Sequence, residues 1–92
     1  MLTPINTKQF KKDLKKYEHK KEVLKELKIV MMYILKEEPL PVIYKDHTLT
    51  GNWMGRRECH VKNDVLLIYK IFPESREALF ERIGSHSELL KM

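Results

Sequence analysis

No glycine or proline interrupts the chain between Thr7 and Glu38, and apolar residues recur there at helical spacing. Phe10, Leu14 and Tyr17 stand at i, i+4 and i+7 and form one stripe. Val23, Leu24, Leu27, Val30, Met31, Ile34 and Leu35 form a second stripe, longer and wider, which predicts the more buried helix. Glu18-His19-Lys20 separates the two, so the pattern predicts an antiparallel pair of amphipathic helices joined by a short connection. Asn6, with Gln9 three residues on, is the expected N-cap of the first helix. Pro39 and Pro41 end the second, because proline has no N–H to donate and disfavours helix in the residue before it.

After the prolines the period changes. Trp53 to Val61 alternates as a strand, with Met54, Arg56, Glu58 and His60 on one face and Trp53, Gly55, Arg57, Cys59 and Val61 on the other. Lys62-Asn63-Asp64 reads as a turn. Val65 to Phe72 is nearly all apolar and rich in branched and aromatic residues, as a central strand buried on both faces requires. Pro73-Glu74-Ser75 is the next turn, Ala78 to Ile83 a third strand, and Ser85 the cap of a short last helix over His86 to Leu90. A strand at Leu2 to Ile5 is confined by Pro4 to an edge. The predicted fold class is α+β: a helical hairpin packed on one face of an antiparallel sheet, with a short C-terminal helix.

Length limits this pattern to one domain, residues 1–92, around one core. The net charge of +5 favours an anionic partner. Its distribution matters more than its size. Residues 1–38 hold ten Lys against six acids and no Arg, whereas residues 39–92 hold all four Arg and three of the four His. On the first predicted helix, Lys8, Lys11, Lys12, Lys15 and Lys16 face a single acid, Asp13. This run is either a solvated face or a patch that tracks phosphates. The lone Cys59 sits inside a predicted strand and reads as a core residue; an internal disulfide is ruled out. The N-terminus lacks a signal-peptide pattern, and the longest apolar run, Ile29 to Leu35, falls far short of the roughly 18 residues that span a bilayer. A cytoplasmic protein without a membrane partner is expected.

The phosphate-binding glycine motifs and C-x-x-C are absent. His47, His60 and His86 lie 13 and 26 residues apart, so there is no local zinc motif; a zinc site from His47, His60 and Asp64 meeting in space is the lesser alternative, and neither a metal nor another cofactor is expected. What remains is a set of chemically useful residues near strand ends. His60 closes one strand and Asp64 opens the next; a hairpin can bring them together, and a carboxylate beside an imidazole fixes its tautomer. Arg82 and His86 follow on the next strand and its exit.

The segment from Leu40 to Trp53, with its Lys45-Asp46-His47-x-Leu49-x-Gly51-x-Trp53 pattern, resembles the YafQ branch of the RelE toxin superfamily. So do Gly55 to Val61, Asp64 before Leu66 to Lys70, and the ending Arg82-x-Gly84-Ser85-His86. The resemblance runs in order from about residue 7 to residue 90. It implies two helices on an antiparallel sheet and an endoribonuclease that cuts messenger RNA, usually in the ribosomal A site, neutralised by an antitoxin expected to be acidic. It implies catalytic residues His47, His60, Asp64, Arg82 and His86; the sequence does not assign the proton roles, and our expectation is His86 as acid and His60 or His47 as base. Lys11, Lys12, Lys15, Lys16, Arg56 and Glu58 are the expected RNA-binding residues; Glu58, on the strand parity of His60, is alternatively expected to share base or orienting work with it. Val65 departs from the pattern, since many YafQ-type chains carry Trp there, and valine cannot stack on a base. The competing readings are a RelE/ParE-fold toxin without catalysis and a basic nucleic-acid-binding module. Neutralising Lys11, Lys12, Lys15 and Lys16 together is expected to weaken RNA binding and flatten its salt dependence, because each lost phosphate contact releases fewer counterions. An unchanged slope of affinity against salt would leave these lysines as a solvated face.

Overall fold

The computed structural model describes residues 1–90. Five strands, β1 (Thr3–Asn6), β2 (His47–Thr48), β3 (Arg57–Lys62), β4 (Val65–Phe72) and β5 (Glu77–Gly84), form one sheet in the order β1-β5-β4-β3-β2. Helices α1 (Lys8–Lys15) and α2 (Lys21–Leu35) lie against one face, α1 on β5 and α2 on β3; α3 (His86–Leu89) follows β5. The α+β class predicted from the pattern is the class observed. The sheet is mixed rather than purely antiparallel, because the helix-rich crossover returns β1 parallel to β5. Pro4 sits on that edge strand, as its missing donor requires.

Two boundaries differ from expectation. Thr7, not Asn6, caps α1: its hydroxyl accepts from Phe10 N at 2.9 Å and donates to Glu81 O at 2.7 Å, while Asn6 is used in β1. The strand expected from Trp53 starts only at Arg57, since Gly51 and Gly55 take positive φ (67° and 89°) and fold Gly51–Trp53 into a 3₁₀ turn. Ser85 caps α3 as predicted, in a capping box with Glu88.

The main core lies between helices and sheet and includes Phe10, Val30, Leu67, Tyr69, Phe80 and Ile83, with Phe10 and Phe80 rings 6.0 Å apart. A smaller cluster of Leu66, Ile68 and Leu89, flanked by Leu49 and Trp53, lies on the opposite face. Strand β4 therefore has apolar neighbours on both sides, as its composition predicts. A bulge in β5 leaves Glu81 without a partner on β4, since Tyr69 pairs with Phe80 but Ile68 with Arg82. It reverses the strand's parity, so Ala78, Phe80 and Ile83 all serve the helix-side core while Arg82 shares the face of Ile68.

Strand β1 ends opposite Phe80, which leaves the edge of β5 uncovered beyond that point. Asp13 of α1 takes its place. Its fully buried carboxylate accepts from Ile83 N at 3.1 Å, from Arg82 Nε and Nη2 at 2.8 and 3.2 Å, and from Gln9 Nε2 at 3.1 Å. Burial alone pushes the Asp13 carboxyl up, but the donors from Arg82, Gln9 and Ile83 outweigh it and hold it below its ordinary range. A carboxyl depressed in the folded state contributes stability above its unfolded pKa of about 3.9 and loses it as pH falls through the folded value. Urea unfolding is therefore expected to show stability falling below about pH 4. In Asp13→Asn that acid limb becomes shallower, and stability at neutral pH drops by about 1–3 kcal/mol. Parallel acid limbs in the two proteins would show that Asp13 does not carry this effect.

Candidate active site

Register on β4 assembles the site. Glu58 pairs with Ile68 and His60 with Leu66 across β3–β4, and His47 pairs with Glu58 across β2–β3. Side chains opposite one another share a face, so His47, Glu58 and His60 stand on the face opposite the helices. Asp64 follows the β3–β4 turn, and His86 opens α3 directly after β5. The imidazoles form a row: His47 and His60 have ring centroids 6.5 Å apart, and His60 and His86 5.6 Å apart.

Each imidazole is held differently. His47 Nδ1 donates to Lys45 O at 2.7 Å, across a turn in which Lys45 adopts φ 49°, and this fixes Nε2 as the free nitrogen. That nitrogen lies 3.4 Å from Glu58 Oε1. His60 Nε2 lies 4.0 Å from the same oxygen. His86 Nδ1 donates to Asp64 Oδ1 at 2.9 Å, which leaves its Nε2 for chemistry. Burial lowers the His60 pKa, and the charges of Lys45, His86 and His47 lower it further, while Glu58 works against them. Asp64 is held below the carboxylate range by hydrogen bonds from the His86 side chain and backbone.

The segment carrying His47 is tethered on the helix side. Asp46 accepts from Arg57 Nη2 at 2.9 Å and from the Tyr69 hydroxyl at 2.6 Å, and Tyr44 donates to Glu26 at 2.6 Å. The bond to Glu26, with burial, pushes the Tyr44 hydroxyl up to about 12, and burial with Asp46 raises that of Tyr69. Neither phenol acts as an acid near neutrality. Cys59 is buried and its thiol is pushed up to about 12, which removes it as a nucleophile.

Of the expected catalytic residues, His47, His60, Asp64 and His86 come together. Arg82 shares their face by register, and its polar contacts are to Asp13. Among the expected RNA-binding residues, Lys11, Lys12, Lys15 and Lys16 are exposed, with Lys16 paired to Glu88 at 3.2 Å, and Arg56 is engaged by Glu81 at 2.6 Å. Glu58 is corrected: it is 2% exposed, so it lies at the floor of the site beneath the imidazoles and not on a surface that RNA could touch. Its Oε2 has no hydrogen-bond partner among the described residues, and a buried carboxylate oxygen without one carries a desolvation cost. Glu58 Oε1 or Oε2 and a ring nitrogen from each of His60 and His86 lie within 4.8 Å of one another, a donor set that suits a divalent ion such as Zn²⁺. Sequence reasoning missed Asp13 and Asp46 as site supports. The signal for Asp13 was its place in the apolar stripe, three residues after Phe10 and four before Tyr17.

The fold and site together are a helix-backed sheet that carries a row of imidazoles over a buried carboxylate. Residues 2–91 match the family described as bacterial toxin of type II toxin–antitoxin system, YafQ. An mRNA interferase toxin YafQ of Escherichia coli K12 is 39% identical over 82 residues, covering 88% of this chain and 87% of its own. A metal-bound toxin from Helicobacter pylori superposes with TM-score 0.89 at 44% identity, covering 97% of this chain and 99% of its own. The YafQ structure in the E. coli DinJ–YafQ complex gives TM-score 0.84 at 36% identity, with coverage of 97% and 98%. The chain belongs to the YafQ family of toxins from bacterial type II toxin–antitoxin systems. No helix among the described residues is long and apolar enough to cross a membrane.

The Glu58 carboxylate raises the His60 pKa against the other influences, so removing its charge has a predictable sign. In Glu58→Gln, His60 is expected to titrate at lower pH than in the wild-type chain, as read from imidazole carbon-bound proton shifts in an NMR pH titration. An unchanged or higher midpoint would mean that Glu58 carries no charge beneath the ring.

Proposed function

We propose that the protein is an endoribonuclease that cuts messenger RNA in the cytoplasm, at the ribosomal A site, by attack of the RNA's own 2′-hydroxyl. The observation that carries this reading is the row of three imidazoles over the buried Glu58 in a chain of the YafQ family. His60 takes the proton from the 2′-hydroxyl, whose oxygen then bonds to phosphorus. The P–O5′ bond breaks, and His86 gives a proton to the departing 5′-oxygen. Imidazoles suit both transfers at neutral pH. Asp64, at Nδ1 of His86, fixes the tautomer that presents Nε2 and stabilises the protonated ring. His47, tethered by Lys45 O, shares the Glu58 carboxylate with His60 and adds positive charge when protonated. Arg82 stabilises the charge that develops on the phosphorane oxygens, and Lys11, Lys12 and Lys15 guide the strand.

The partner that silences the chain is a cognate antitoxin, since the E. coli relative is described in complex with DinJ. With a sequence pI of about 9.4 for this chain, an acidic antitoxin segment over the imidazole row is the complementary cover.

The donor set Glu58, His60 and His86, together with the relative described as metal-bound, favours a second reading in which these residues hold a divalent ion. Such an ion would supply Lewis-acid charge to a phosphate oxygen. The two readings differ in test. Under the first, purified protein on free RNA is expected to yield a 2′,3′-cyclic phosphate (or the 3′-phosphate it opens to) and a 5′-hydroxyl. EDTA leaves the rate unchanged, and added Zn²⁺ inhibits by occupying the nitrogen that serves as base. A 2′-deoxy nucleotide on the 5′ side of the cut abolishes cleavage while binding survives. His86→Ala loses about 10²–10⁴-fold in rate without loss of fold. A 5′-phosphate product, cleavage of the 2′-deoxy substrate or full inhibition by EDTA would put the metal reading first.

A further inference from the structure

We propose that Asp13, on the lysine-rich helix α1, is a positioning residue for Arg82, and that through it α1 sets the guanidinium against the scissile phosphate. The proposal rests on the ribonuclease reading above. Arg82 has five N–H donors in one plane. Asp13 takes two of them, Nε–H at 2.8 Å and one Nη2–H at 3.2 Å. This leaves three donors, both on Nη1 and one on Nη2, in a plane that the side chain's own torsions would not fix. The Arg82 side chain is 24% exposed, so its free edge reaches solvent and a ligand.

Asp13 is itself held on several sides. It is fully buried, anchored by Ile83 N at 3.1 Å and by Gln9 at 3.1 Å, and carried on a helix whose cap, Thr7, also bonds β5 at Glu81 O. Arg82 and its clamp therefore move as one unit with the strand that leads into His86. The same helix reaches that residue's surroundings a second way, through Lys16 to Glu88 at 3.2 Å, within the capping box that starts α3. Because Asp13 is buried, it cannot meet an RNA phosphate. It acts on the reaction only through the direction in which it holds the guanidinium, and geometry of this kind governs rate more than binding.

Lysine at 82 would keep the charge but not the fork. A purely structural Asp13, valued only for covering Ile83 N–H, predicts a different set of results. The experiment measures cleavage of free RNA by the purified full chain for wild type, Asp13→Asn, Arg82→Lys, Arg82→Ala and the double variant Asp13→Asn/Arg82→Ala. Each is checked by circular dichroism at the assay temperature. Asp13→Asn is expected to lower kcat by about 10–100-fold with KM changed less than about threefold, and Arg82→Lys to do the same. In the Arg82→Ala background, Asp13→Asn is expected to cost less than about twofold, because its only route to the reaction is already gone. Wild-type kcat in Asp13→Asn, or losses that multiply in the double variant, would overturn the proposal. Should Asp13→Asn fail to fold, Arg82→Lys decides: wild-type kcat there would show that no clamped fork is needed. A wild-type chain that does not cut RNA would instead overturn the ribonuclease reading itself.

Discussion

Burial of β4 on both of its faces is the constraint from which the rest of the structure follows. Leu67 and Tyr69 pack under the helices, while Leu66 and Ile68 pack under α3 and the Leu49–Trp53 segment. With apolar clusters on both sides, β4 fixes the register of both neighbours, because a slip of one residue would exchange their faces. The chemistry is indexed to it: Glu58 and Arg82 both stand opposite Ile68, and His60 opposite Leu66. The imidazole row is thus a consequence of hydrophobic packing, and its spacing is as rigid as the core beneath it.

Three carboxylates, besides the Asp64 that holds His86, then convert this frame into a site. Asp13 holds Arg82, Asp46 holds the segment that ends in His47, and Glu58 underlies His47 and His60. Two are saturated with donors. Glu58 keeps an oxygen without a partner. A buried carboxylate oxygen without a donor carries a desolvation cost that the other two carboxylates do not. The contrast sets Glu58 apart from Asp13 and Asp46 in its hydrogen bonding.

The fold was legible in the sequence where periodicity was long and locally enforced. The stripes of α1 and α2, the doubly apolar run of β4 and the Ser85 cap all came through. The β1 pairing did not, since four residues carrying Pro4 have no period that reveals a parallel partner over seventy residues away. Nor did the delayed start of β3, where two glycines with positive φ override an alternating pattern. Within the site, His47, His60, Asp64 and His86 were legible through the resemblance, because each lies in a short, ordered motif. The burial of Glu58 and the clamp on Arg82 were not. Both depend on which side chains meet across the sheet and around its edge, and a one-dimensional pattern does not carry that. Asp13 was hidden by its neighbours, a single acid read as a spacer in a cationic run.

The bulge at Glu81 has a consequence for how this strand tolerates change. It works as a phase shifter: upstream of it, even-numbered residues of β5 face the helices, and downstream the odd-numbered Ile83 does. Shortening β5 by the bulged residue itself would leave every remaining pair with β4 aligned. A length change elsewhere in the strand has to move the bulge or slide one side of it along β4, and a slide by one residue exchanges the faces of the residues that move. Glu81 is therefore the position at which β5 absorbs a change of length while Arg82 stays opposite Ile68 and Ile83 stays in the core.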